Sequence, residues 1–82
     1  MTKEEQINSE IVKLQIEIEY KKAHIYMAKK EINATENVLK MIDKDEAKNP
    51  YLDSLKSLND QVTQDTLSIE YCEKIIENLK TL

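Results

Sequence analysis

Residues 39–58 read LKMIDKDEAKNPYLDSLKSL and contain Pro50, the only proline of an 82-residue chain that has no glycine at all. On both sides of Pro50 an isoleucine, leucine or valine recurs every seventh residue. Towards the N-terminus the series is Leu39, Ile32, Ile25, Ile18 and Ile11, accompanied by Ile42, Thr35, Ala28, Lys21, Leu14 and Ile7. Towards the C-terminus it is Leu55, Val62, Ile69 and Ile76, accompanied by Tyr51, Leu58, Asp65, Cys72 and Leu79. Heptads sustained over this length define a coiled-coil seam, and a seam needs a facing helix. One break between two such runs lets the chain supply its own partner. The expected fold is therefore all-α: an antiparallel helical hairpin, a coiled coil, forming a single domain over residues 1–82.

The end signals set the expected boundaries at helix 3–46, turn 45–50 and helix 50–81. Thr2 followed by Glu5 makes a capping box, and Glu4 and Glu5 complement the positive end of the helix dipole. Asn49 is a good N-cap, and Pro50 would then occupy the first helical position, where a missing N–H costs nothing. A short connection folds the two helices back on each other. With Ile42 near Leu52, residues whose numbers add to about 94 face each other across an antiparallel pair, in which neighbouring positions are set by the turn. That places Lys21 near Glu73 and Lys29 near Asp65, joining a basic stretch to an acidic one, and it leaves residues 1–11 protruding with Ile7 and Ile11 uncovered.

A hairpin needs one apolar face per helix, but the first helix has two. Ile16, Tyr20, Ala23, Met27, Ala34, Val38 and Met41 form a second line, and Leu67, Tyr71, Ile75 and Leu82 form its counterpart in the second helix. A helix apolar on two sides is normally sandwiched between others. Residues 12–27 and 67–82 are expected to make one broad patch at the open end, through which two copies dock as a four-helix bundle. The residues expected at the self-association or partner interface are Ile7, Ile11, Ile16, Tyr20, Met27, Leu67, Tyr71, Ile75 and Leu82. Small scaffolds need such a staple, because near 70 to 80 residues core burial and chain entropy roughly balance.

Composition narrows the function classes. A net charge of −4 from 16 acids and 12 bases disfavours nucleic acid as the main ligand. Every base is lysine, a bias that fits an AT-rich coding genome such as that of a low-GC bacterium or its phage. No apolar run approaches the ~20 residues that cross a bilayer, and residues 1–10 lack the apolar core of a secretory signal. A single cysteine excludes an internal disulfide and, with no signal, points to the cytoplasm.

Residues able to carry chemistry have plainer roles. His24 lacks the acid at position 21 that a Glu-x-x-His metal motif requires, since Lys21 stands there. Cys72 falls on a seam position beside Glu70 and Glu73, where a thiol behaves as a small apolar group rather than a nucleophile. Lys21, Thr35 and Asp65 are polar residues at seam positions, either edging into water or specifying register. The stretch from Tyr20 to Lys30, YKKAHIYMAKK, could meet phosphates and stack bases, but a solvated face is the simpler reading. Without glycine there is no phosphate-cradling loop or dinucleotide fingerprint. The sequence thus points to a protein that is not an enzyme and carries no cofactor or metal. The expected function is a small protein-binding regulator or inhibitor of the phage or mobile-element kind, occupying a surface of a larger protein. The alternatives are a structural or adaptor subunit of a larger assembly, nucleic-acid binding through the Lys21–Lys30 cluster, and acidic mimicry of DNA.

Overall fold

A computed structural model describes residues 2–82 and consists of two helices, α1 over Lys3–Met41 and α2 over Asp45–Lys80. They run antiparallel as a rod of 63 × 14 × 14 Å. The N-cap half of the expected capping box forms, with the Thr2 hydroxyl oxygen accepting from the Glu5 N–H at 3.1 Å.

The turn is not where Asn49 and Pro50 suggest. It occupies Ile42–Lys44, so α1 ends before residue 46 and α2 begins five residues ahead of Pro50. Ile42 caps α1 in extended conformation (φ −95°, ψ 122°), its N–H bonded to the Leu39 carbonyl. Lys44 enters α2 the same way (φ −89°, ψ 125°). Both cap residues use the β region, and no residue takes positive φ among those described, so the turn needs no glycine. Asp45 and Glu46 supply the negative charge that a helix start favours, and Lys48 pairs with Asp45 at 3.7 Å. Pro50 consequently lies inside α2. It has no N–H for the Glu46 carbonyl, and within a helix that loss with its ring clash costs ~3 kcal/mol.

Moving the turn moves the register by about one heptad. Ile18, Ile69, Cys72 and Ile76 form the buried cluster, with Ile11, Leu14 and Ile25 packed against it. Lys21 meets Asp65 rather than Glu73, and Asp65 is therefore not the partner of Lys29. The protruding N-terminal segment disappears: Ile7 and Ile11 are half-buried and line a hollow at the open end together with Leu79 and Leu82. A heptad seam is self-similar under a shift of seven residues, so its periodicity gives the faces but not the register. The observed register covers Ile7 and Ile11 and gives the buried Asp65 a cation, and these gains outweigh an unused N-cap and an internal proline.

Candidate functional site

Three features of the rod depart from a plain apolar seam. The first is a polar layer within it. Asp65 is buried, and its Oδ1 lies 3.8 Å from the Lys21 ammonium, the two side chains being 10% and 29% exposed. The separation is that of an ion pair, not a hydrogen bond. The other carboxylate oxygen of Asp65, Oδ2, has no hydrogen-bond partner among the described residues. An isolated buried carboxylate is strongly disfavoured, so Lys21 is what makes this position tolerable, its stem in the seam and its head towards water. Thr35, the third polar seam residue, is satisfied locally, its hydroxyl donating to the Glu31 carbonyl at 2.8 Å.

Cys72 lies in the same stretch and is only 4% exposed. Burial pushes its thiol above the ordinary value of 9.0, Glu17 pushes in the same direction, and Lys21 opposes them. The thiol is thus protonated and covered, the opposite of a nucleophile's setting. Glu17 belongs to α1, so adjacency in sequence to Glu70 and Glu73 pointed to the wrong acids. His24 is exposed and borders a small hollow with Met27, Glu31 and Gln61. Among the described residues no group of three or more His, Cys, Asp and Glu side chains could hold a metal ion.

The second feature is the lysine stretch, which the fold disperses. Lys21 is turned into the seam, Lys22 pairs with Glu19 at 3.6 Å, and Lys30 sits 4.7 Å over the Tyr26 ring. Among the described residues no helix is long and apolar enough to cross a membrane.

The third feature is the outer apolar line. At about 100° per residue, Val12, Ile16, Tyr20, Ala23 and Met27 fall on the side of α1 turned away from Ile11, Leu14, Ile18 and Ile25. All five are exposed, Tyr20 to 66% and Met27 to 60%. Val12, Ile16, Tyr20 and Ala23 line an open hollow of about 460 Å³, with Gln15 and Glu19 at its edge. On α2, Leu67 and Tyr71 are likewise exposed and turned away from Asp65, Ile69 and Cys72, whereas Ile75 is half-buried beside the seam. Leu82 is exposed at the open end. The two lines stand at the same height on the rod, because Ile18 and Ile69 share one cluster. Ile16 and Ala23 on α1 and Leu67 on α2 look outward from opposite sides of the rod, each opposite its own helix's seam, whereas Ile75 lies at the seam's edge.

No protein family, curated protein or solved structure matches this chain.

Proposed function

We propose that the chain is a small non-enzymatic protein-binding module of the cytoplasm, acting through the outer apolar line of α1. The observation that carries this reading is the line itself, five exposed residues from Val12 to Met27 backed by an open hollow. α2 covers one apolar side of α1, and the physics that buries one side favours covering the other. A second copy is the occupant that the sequence fits. In an antiparallel crossing of α1 on α1, Ile16 of each copy falls opposite Ala23 of the other, large against small, and Val12 opposite Met27, the reciprocal pairing of an isologous contact. Since the line is opposite the seam, that dimer is a row of four helices rather than a square bundle.

The smaller face, Leu67 and Tyr71 on α2, is then left for a larger protein whose surface the dimer occupies, as a regulator or inhibitor of the phage or mobile-element kind would. Outward faces on opposite sides also favour a second reading, an adaptor in which α1 of one copy seats on α2 of the next and the row grows without closing.

Light scattering coupled to size exclusion, over a wide concentration range, tests both. The dimer predicts twice the chain mass, reduced to a single mass by Ile16→Asp with Met27→Asp, and unchanged by Leu67→Asp with Tyr71→Asp. Growth beyond twice the mass selects the adaptor. A single mass at every concentration refutes self-association and leaves the α1 line to a different protein.

A further inference from the structure

We propose that the Lys21–Asp65 pair is a register lock, holding the hairpin against a slip of α2 along α1 by one heptad into a second register whose α2 starts at Pro50. The seam itself does not distinguish the two. Sliding α2 towards the turn by seven residues replaces the neighbours of Ile18, Ile25, Ile32 and Leu39 by Ile76, Ile69, Val62 and Leu55, residues of the same apolar kind. The slipped register also has a complete start signal that the observed one leaves unused, with Asn49 as N-cap and Pro50 at the first helical position. Only α1's first turns lose by it, as Ile7 and Ile11 come out from beneath the end of α2.

The polar layer breaks this near-symmetry. Asp65 is the one buried charged residue among those described, and its only charged neighbour within ion-pair distance is Lys21. A slip of one heptad carries Asp65 from Lys21 to Ala28, the next equivalent position on α1, and brings Cys72, now in the cluster that Leu14 packs against, up to Lys21. Asp65 then faces a methyl group and meets Lys29 only from the seam's edge, and Lys21 faces a thiol with Glu73 beside it, so no layer sets the two charges opposite each other, while the layers of Ile18, Ile25 and Ile32 are conserved in kind. A single polar pair at heptad positions is the recognised way in which a coiled coil selects one register from several of similar stability. The lock also has a consequence for binding, since the slip moves the Leu67–Tyr71 face by about 10 Å relative to the α1 line at ~1.5 Å per residue. A partner touching both sides meets a different surface in each register.

The decisive experiment moves the cation instead of removing it. In Lys21→Leu with Ala28→Lys, the ammonium is placed where Asp65 arrives after the slip, and the observed register holds two unpaired charges. Spin labels at Ser9→Cys and Asp60→Cys, both exposed positions, in a Cys72→Ala background report the register by pulsed electron resonance. Labelled chain is diluted in unlabelled chain so that distances within one hairpin dominate. The slip takes position 60 away from position 9 along the rod by about 10 Å, seven residues at ~1.5 Å each. The lock predicts that the main distance of the relocated variant is longer by that amount at unchanged helicity. A main distance identical to that of the parent, with helicity retained, overturns it. Should the relocated variant lose its helicity, Lys21→Leu with Asp65→Leu decides: with an apolar layer acceptable in both registers, a second and longer distance supports the lock, and a single parental distance refutes it.

Discussion

Ile69→Ala is the sharpest probe of the seam. Ile69 is 9% exposed and belongs to the buried cluster with Ile18, Cys72 and Ile76. The substitution removes three carbons, worth ~0.8 kcal/mol each in transfer free energy, or about 2.4 kcal/mol. A cavity adds to this where neighbours cannot close in, but in a two-helix rod both sides of the layer border solvent and the helices can approach. The expected loss is thus about 2 to 3 kcal/mol, the lower half of the range for such truncations. For a domain with a total of ~5 kcal/mol this is about half the stability, and with a urea m-value of ~1 kcal/mol/M the midpoint falls by roughly 2 M. Circular dichroism at fixed protein concentration is the assay, because any dimer couples unfolding to association. Met41→Ala is the control, since Met41 is 80% exposed at the end of α1 and its truncation should leave the midpoint in place. A midpoint for Ile69→Ala within error of that control would refute the placement of the seam.

Removing the two members of the polar layer should have unequal effects. Lys21→Met leaves Asp65 buried without a cation and is expected to cost on the order of 3 kcal/mol or more, whereas Asp65→Leu leaves Lys21 free to extend to water and should be near neutral or stabilising in urea melts; equal losses would contradict the burial asymmetry. Pro50→Ala should raise the melting temperature, by restoring a helix bond and relieving a ring clash worth up to ~3 kcal/mol; a lower melting temperature would show that Pro50 starts α2 instead of interrupting it. The Cys72 thiol, raised above 9.0 by burial and Glu17 against the opposing effect of Lys21, should alkylate at neutral pH far more slowly in the native protein than in urea. The sign of its linkage follows: the contribution is complete below 9.0, the unfolded value, and declines as pH rises past it. The pH profile of melting in Cys72→Ala should lack that part of the decline.

The seam was legible because every heptad position from Ile7 to Leu39 and from Leu55 to Leu79 comes out buried or half-buried, the outcome that a period of seven enforces on a paired helix. The identity of Cys72 as a covered thiol followed from the same period. The outer line was legible as a list of residues but not as a surface, because continuity between Ile16 and Leu67 depends on the direction each helix turns relative to the other. That relation is set by the pairing, and sequence spacing within one helix does not contain it. Glu17 as the acid felt by Cys72 was hidden for the same reason.

The turn was misplaced by a local rule that is correct wherever nothing opposes it. Asn49 and Pro50 make a sound helix start, and an isolated peptide with this sequence has every reason to begin there. Against this stand two contacts distant in sequence, the cover that Leu79 and Ile76 give to Ile7 and Ile11, and the cation that Lys21 gives to Asp65. Both act through the full length of the rod on a break only a few residues wide. Because a heptad seam is indifferent to shifts of seven, the choice between turns falls to the few residues that break its repetition. Here Lys21 and Asp65 break it in the middle and Pro50 near the end, and they pull in opposite directions. In a chain under that tension the register falls to a few residues, so the substitutions that most change its shape are expected at the Lys21–Asp65 layer and not in the larger apolar core.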